Sequence, residues 1–251
     1  MADSHVIPKA FMWRTTDAPF VDWGGEGRPR RLYSGWYDRN ILTDAGEKYF
    51  NAVDDAAAKC FVDNGFTYRK RRNPLDMNKL GERFVPNQVY QIEGVNSSLI
   101  RLFGLSLLWR AAVSKEEAFK DVKVSPSHLA DLRNRILCGD AGPCTEYAVF
   151  YAVFCDATEL TKMSPFKPKG LPFYRFFLDG VVCYVSPIRY TKEAGQYGNW
   201  LAGAEPGSVN LFCLPSLDSN QERYTSRAAR ELYGKHGNVF SGLDKAISRR
   251  R

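Results

Sequence analysis

Residues 173–185 read FYRFFLDGVVCYV, two short apolar runs on either side of the pair Asp179-Gly180. Both runs are rich in aromatic and β-branched residues, which is typical of strands. The Asp-Gly pair accepts the positive φ angles that a tight hairpin turn requires. This stretch therefore predicts a β-hairpin with strands over Phe173–Leu178 and Val181–Val185.

Two further runs predict strands before and after this hairpin. Tyr147–Cys155 is rich in Val, Phe and Tyr, and Leu211–Leu214 is a short apolar run. We expect the four strands to form an antiparallel sheet over about residues 147–214. Their aromatic side chains suit base stacking as well as burial in a sheet core, and we expect burial for most of them.

Helical patterns occupy the chain before the strands. Asp44–Asn64 has apolar residues at helical spacing and is followed by Gly65. Ser97–Val113 presents a broad apolar face that runs from Leu99 to Arg110, and a Ser125-Pro126 cap begins a third helix that ends before Gly139. A last helix is predicted over about residues 220–233. The fold class predicted is α+β, with helices packed on an antiparallel sheet.

The composition is that of a globular protein with an excess of positive charge. Hydrophobic residues make up 44% of the chain and charged residues 25%, which excludes a disordered protein. The chain has 35 Lys and Arg residues and 28 Asp and Glu residues, which gives a net charge of +7. The excess clusters in patches at Arg28, Arg30 and Arg31, at Arg69, Lys70, Arg71 and Arg72, and at Arg249, Arg250 and Arg251. Such patches are expected of a nucleic-acid-binding protein and equally of a solvated basic face.

Neither a membrane segment nor a secretion signal is recognisable in the sequence. No apolar run approaches the ~20 residues of a membrane helix, and the start MADSHVIPKAF lacks the parts of a signal peptide. The six cysteines are scattered, without the C-x-x-C spacing of a zinc or redox motif. We therefore expect a cytoplasmic protein with free, buried thiols and no membrane partner.

Two N-terminal segments carry a resemblance to a known enzyme family. Ser4–Phe11 reads SHVIPKAF, and Gly35–Asp55 reads GWYDRNILTDAGEKYFNAVDD. The first resembles the His-hydrophobic-Ile-Pro strand of a His-Asn-His (HNH) nuclease finger, and the second resembles its Asn-Ile-Leu segment and helix. The combined pattern is also similar to uncharacterised bacterial and phage proteins. The resemblance implies a ββα finger over residues 1–68, followed by a second α+β domain over residues 69–251.

The resemblance also implies roles for particular residues. His5 takes the place of the general base, and Asn40 that of the residue that orients it. Glu47 and Asn51, four residues apart on one helix face, take the place of the ligands of a divalent metal, Mg or Mn. Asp54 lies one turn further on. These residues also have purely structural interpretations. His5 would then be a surface histidine and Asn40 part of a turn. Glu47 would interact favourably with the helix dipole, and Asp54 would be solvated.

The segment departs from the family at its zinc site. Thr43 and Gly46 stand where a cysteine pair would be, and only four residues precede His5, so no structural zinc is expected.

Two functions stay open. One is a metal-dependent DNA endonuclease of the HNH type, with catalysis intact or impaired, in phage defence or mobile-element biology. The other is a non-catalytic module on an eroded HNH fold that binds DNA, RNA or a protein. A third interpretation is a structural protein whose basic charge is incidental.

Overall fold

The computed structural model describes residues 4–12, 20–22, 30–32, 35–67, 89–154, 165, 167, 171–190 and 198–214. These residues form both helices and strands, so the predicted α+β class is confirmed. All of them belong to one compact unit, Met1–Leu214. The predicted domain boundary at residue 68 and the predicted helix over about residues 220–233 lie outside the described residues.

The described strands form one large sheet and two small pairs. In the small pairs, β1 (Ser4–His5) lies against β4 (Tyr37–Asp38), and β2 (Phe20–Asp22) against β3 (Arg30–Leu32). The large sheet contains β5 (Val89–Glu93), β6 (Val149–Phe154), β7 (Tyr174–Leu178), β8 (Val181–Val185) and β9 (Ser208–Leu214). Their order across the sheet is β5-β9-β6-β8-β7.

The predicted hairpin is present, but the sheet around it is mixed. Strands β7 and β8 pair antiparallel, and Asp179 and Gly180 both have positive φ, at 48° and 93°. Strands β6 and β9 run parallel, with Tyr151 opposite Leu211. The prediction of an antiparallel sheet is therefore wrong for this pair. An alternating or apolar run of residues predicts a strand and which of its residues share a face. It does not show whether the neighbouring strand in the sheet runs parallel or antiparallel.

The three predicted helices in the described region are confirmed. They are α1 (Asp44–Ala58), which continues as a π-helical turn over Lys59–Asp63, α2 (Ser97–Val113) and α3 (Pro126–Cys138). At α3 the Ser125 hydroxyl accepts a hydrogen bond from the backbone N–H of His128, and Gly139 ends the helix with a φ of 67°. No described helix is long and apolar enough to cross a membrane.

Helix α2 forms the centre of the core. Every residue from Ile100 to Ala111 is buried, as expected for a helix that is apolar on nearly all sides. One side of α2 packs on β6, β8 and β9, and α1 and α3 pack on its other sides. The strands of the predicted hairpin are also buried, so base stacking is not available to Phe176 or Phe177.

The cysteines correct one prediction. Cys60 and Cys183 are free and buried, as expected, and burial raises the pKa of the Cys60 thiol to about 12. Cys138 and Cys144 are also free, but Cys138 is exposed, so the expectation of a buried thiol is wrong there. Cys213, buried in β9, is disulfide-bonded, so the expectation of free thiols is wrong at this position. The spacing of cysteines along a chain does not show which of them approach each other in the fold.

Candidate functional site

Strands β1 and β4 and helix α1 form a strand–strand–helix unit, with the β2–β3 pair inserted between the strands in the chain. His5 on β1 lies opposite Tyr37 on β4, and the backbone N–H of Val6 donates to the carbonyl of Trp36 at 3.0 Å. The His5 side chain is half-buried, and its ring centroid lies 6.2 Å from that of Tyr37. The sequence resemblance implies a strand–strand–helix order for this part of the chain, and these are the elements found here.

A buried carboxylate fixes the turn after β4. Asp38 accepts hydrogen bonds from the backbone N–H groups of Asn40 and Lys115, both at 2.9 Å, and from the Ser114 hydroxyl at 3.1 Å. Burial acts to raise the pKa of Asp38, but these donors outweigh it and lower the pKa. Asn40 is exposed and bonds Asp38 through its backbone and its side chain. Asn40 therefore belongs to a turn that is anchored to the end of α2.

The two positions that the resemblance aligns with zinc-binding cysteines, Thr43 and Gly46, are used for a helix cap in this chain. Thr43 is the N-cap of α1, and its hydroxyl accepts a hydrogen bond from the backbone N–H of Gly46 at 3.2 Å. This bond satisfies one of the helix donors that have no partner within the helix. Thr43 and Gly46 thus start the helix through a cap.

An ion pair between the buried Arg110 and the partly buried Asp54 joins β1, α1 and α2. The guanidinium of Arg110 donates to both carboxylate oxygens of Asp54, at 2.8 and 3.0 Å, and to the backbone carbonyl of His5 at 3.1 Å. It also donates to the Ser106 hydroxyl at 3.0 Å and lies over the Phe50 ring. We call the contacts among His5, Asp54 and Arg110 the junction. Its guanidinium is almost fully buried and links the first strand to the first helix.

The junction corrects the interpretation of Asp54 as a solvated residue. Burial raises the pKa of Asp54, and the neighbouring Arg110 guanidinium opposes that rise. Asp55, by contrast, is exposed. The sequence does contain a signal for the junction. An arginine on the buried side of an otherwise apolar helix needs a partner, because burying an unpaired charge is costly. It does not show which carboxylate that partner is.

The described residues do not complete a divalent-ion site around the predicted metal ligands. Asn51 is exposed, and Glu47 is half-buried. One of its carboxylate oxygens, Oε1, is buried and has no hydrogen-bond partner among the described residues. Asp54, the next carboxylate on this side of α1, is already held by Arg110. Among the described residues, no group of three or more His, Cys, Asp or Glu side chains is placed to hold a metal. Magnesium prefers six oxygen ligands with near-octahedral geometry, and of the two carboxylates on this side of α1, Glu47 and Asp54, Glu47 is the one that Arg110 does not bind.

The predicted nucleic-acid-binding residues are described only in part. Arg30 and Arg31 lie on β3, paired with Asp22 and Val21 of β2. The others, Arg28, Arg69, Lys70, Arg71 and Arg72, lie outside the described residues.

Known proteins offer no guide to this arrangement. No family model matches the chain. No curated protein and no solved structure matches it either. The chemistry of the junction therefore has to be derived from its own contacts.

A second charged cluster lies around Glu146, which sequence analysis did not single out. Its carboxylate accepts hydrogen bonds from Arg135, from Arg189 at 3.1 Å and from the Tyr190 hydroxyl at 2.6 Å. Burial acts to raise the pKa of Glu146, but these donors lower it to about 2. Arg101, fully buried on α2, donates to the backbone carbonyls of Gly142 and Glu146. The cluster ties two loops to α2 and α3, which is a structural role.

The Glu146 cluster predicts a dependence of stability on pH. Because the pKa of Glu146 falls from 4.5 to about 2 on folding, its contribution to stability is complete above 4.5 and is lost as the pH falls toward 2. We expect Glu146→Gln to unfold at a lower urea concentration than the wild type at neutral pH. This difference should narrow below about pH 4.

Urea midpoints measured at a series of pH values check this prediction. Glu117→Gln is the matched control, since Glu117 forms a more exposed ion pair with Lys120. A wild-type advantage over Glu146→Gln that stays constant from neutral to acid pH would contradict the assignment.

Proposed function

We propose that this protein is a non-catalytic nucleic-acid-binding module built on an eroded HNH-type fold. The observation that carries the proposal is the junction. An arginine side chain from α2 binds both the first strand and the first helix, through the His5 carbonyl and the Asp54 carboxylate. The chain supplies its own cation where strand and helix meet.

An internal cation of this kind opposes metal chemistry at the same place. Arg110 occupies both oxygens of Asp54, so this carboxylate is not available as a metal ligand. The fixed positive charge also disfavours a divalent ion nearby, because like charges repel strongly where water is excluded. A fold held together by Arg110 does not need a metal for its stability.

The nucleic-acid part of the proposal is supported by charge. The chain has a net charge of +7, and its basic residues cluster in short patches. Patches of this kind neutralise phosphates and release counterions. DNA is the expected partner, and RNA has the same phosphate chemistry.

A cytoplasmic location follows from this partner. The free thiols of Cys60 and Cys183 are consistent with a reducing cytoplasm, whereas the disulfide at Cys213 is typical of an oxidising compartment.

A metal-dependent DNA endonuclease is the second candidate function, and one observation favours it. In the part of the chain that the structure describes, no hydrogen-bond donor reaches the buried Oε1 atom of Glu47. An unpaired buried carboxylate oxygen costs free energy unless a donor or a cation reaches it. Glu47 lies four residues before Asn51 on α1, the spacing that the family uses for its metal ligands.

Plasmid incubation separates the two functions. We expect the protein to retard supercoiled plasmid and leave it intact, with or without magnesium or manganese. The affinity should fall on the order of 100-fold between about 50 and 200 mM salt if four basic residues contact phosphates. His5→Ala and Glu47→Gln should retard plasmid as the wild type does, since neither side chain is assigned to binding.

Each other outcome has a definite meaning. Metal-dependent nicking that is lost in both His5→Ala and Glu47→Gln would establish the endonuclease and overturn the proposal. Affinity that does not change with salt, or no retardation at all, would overturn both nucleic-acid functions and leave the structural interpretation.

A further inference from the structure

The Glu146 cluster has an exposed side that its structural role does not account for. Three consecutive residues there, Ile188, Arg189 and Tyr190, are exposed. Tyr190 is 65% exposed, more than any other large apolar or aromatic residue that the structure describes. Tyrosine and arginine are also residue types that are enriched where binding energy is concentrated. This side of the cluster is therefore a candidate binding surface.

The buried Glu146 carboxylate holds two of these exposed side chains in place. Its Oε1 atom accepts hydrogen bonds from the Tyr190 hydroxyl at 2.6 Å and from Nη2 of Arg189 at 3.1 Å, and its Oε2 atom lies 3.0 Å from Nε of Arg189. Arg135 binds the same carboxylate from α3. The two exposed side chains thus have fixed positions before a ligand arrives, which lowers the entropy that is lost on binding.

The backbone under this surface is fixed and locally strained. Tyr147, which follows Glu146, has a φ of 44°, a conformation that bulky residues rarely adopt. Its backbone N–H donates to the carbonyl of Arg189 at 2.8 Å, and the Ser186 hydroxyl donates to the carbonyl of Ile188 at 2.8 Å. Such strain persists only where the surrounding contacts impose it, and ligand clamps are among the places where it concentrates.

The groups left free on this surface identify the chemistry of a ligand. The Arg189 guanidinium lies over one face of the Tyr190 ring, with Cζ 5.5 Å from the centroid, and the opposite face is open among the described residues. Nη1 of Arg189 contacts no acceptor in the described part of the chain, so its two N–H donors remain for an anion.

The charge of the cluster also favours an anion. Three guanidiniums meet two carboxylates there, which leaves one positive charge in excess; the groups are those of Arg101, Arg135, Arg189, Asp131 and Glu146. The fitting ligand therefore combines a flat ring for the open face of Tyr190 with an anionic group for Arg189. A nucleotide has both.

We propose that Arg189 and Tyr190 bind one nucleotide of a single-stranded nucleic acid, with its base stacked on the open face of Tyr190 and its phosphate on Nη1 of Arg189. We call these two residues the exposed pair. The inference rests on the proposed function and adds the form of the ligand and the place where it binds. A single strand fits because its bases offer their faces for stacking, whereas the bases of a duplex are stacked on one another.

Fluorescence anisotropy with full-length variants tests the exposed pair. The probes are a labelled oligo(dT) of ~20 nucleotides, enough for one or more sites of the usual size, and a duplex of the same length. We expect Tyr190→Ala to weaken oligo(dT) binding roughly 5- to 150-fold, the range for loss of one base–aromatic stack, and to leave duplex binding unchanged. Tyr190→Phe keeps the ring and should lose less. Arg189→Gln should also weaken binding, and should reduce the slope of log affinity against log salt by about 0.7, since one phosphate contact is lost.

Two matched control variants lie on helices. Tyr49→Ala removes an exposed ring from α1 and should leave the oligo(dT) affinity unchanged. Arg133→Gln removes an exposed positive charge from α3, so it changes the net charge by as much as Arg189→Gln does. Because Arg133 is not part of the exposed pair, its substitution should weaken binding less than that of Arg189.

The outcomes separate this inference from the proposed function. Wild-type oligo(dT) affinity in either Tyr190→Ala or Arg189→Gln overturns the exposed pair as the site but not nucleic-acid binding. An equal loss in the matched control, or an equal loss of duplex binding in Tyr190→Ala, also overturns it. A changed sedimentation coefficient in Tyr190→Ala with unchanged oligo(dT) affinity identifies the surface as a contact between copies of the chain, and overturns it as well. Absence of wild-type binding to both probes overturns the proposed function together with the inference.

Discussion

Replacing Arg110 by methionine is expected to lower the free energy of unfolding by about 3–5 kcal/mol. The substitution keeps an unbranched chain of similar length but removes the only charge that is bound to both oxygens of Asp54 among the described residues. The partly buried Asp54 carboxylate is then left without its partner, and the His5 carbonyl loses a donor. Urea unfolding followed by circular dichroism measures the difference.

Two further variants show whether the cost comes from the unpaired carboxylate. Arg110→Met combined with Asp54→Leu removes both charges and should recover much of the loss, because apolar residues often replace a buried ion pair without net cost. Lys120→Met, which breaks the exposed pair with Glu117, should cost less than about 1 kcal/mol. An Arg110→Met variant that is no less stable than Lys120→Met would show that the junction does not hold strand and helix together.

Placing a methyl group at Gly104 is the second substitution with a large expected effect. An added Cβ would lie 2.5 Å from Cγ1 of Val149 and 3.2 Å from the sulfur of Cys183, on the side of α2 that faces the sheet. Both neighbours are fully buried, and the β-branched Val149 has little rotamer freedom with which to move away. We expect Gly104→Ala to lower the free energy of unfolding by about 1–3 kcal/mol, the usual cost of overpacking.

Gly46→Ala is the matched control for Gly104→Ala. Gly46 also lies in a helix, but a Cβ there meets nothing closer than 3.4 Å. The alanine should therefore stabilise the protein by about 0.5–1 kcal/mol through its higher helix propensity. Equal effects of the two substitutions in thermal or urea unfolding would mean that α2 does not approach the sheet as closely as described.

Local sequence signals predicted the helices and the hairpin well. Ser125 and Gly139 set the ends of α3, and Asp179-Gly180 set the turn between β7 and β8, because each depends only on the few residues around it. Strand β5 was not predicted. Its sequence VYQIE has only one fully buried residue, Ile92, so it lacks the apolar run by which the other strands were recognised.

The candidate site was predictable in its order of elements but not in its chemistry. The segments around His5 and Asn40 indicate a strand, a turn and a helix, and the structure has these elements. The partner of Asp54 is Arg110, 56 residues further along the chain, and no local pattern connects the two. Pairing at such a distance is decided by how α1 packs on α2. That packing depends on the whole core rather than on any short motif.

The long-range pairing of β5 sets the order in which the chain can complete its sheet. Val89 pairs with Phe212, 123 positions later, whereas β7 and β8 are joined by two residues. Contacts between such distant residues form slowly, because a long loop must close first. During synthesis on the ribosome, β5 emerges early and waits until Ser208–Leu214 has been made. Any fragment that stops before Ser208 therefore leaves β5 without its partner, and unpaired strands of this kind promote aggregation.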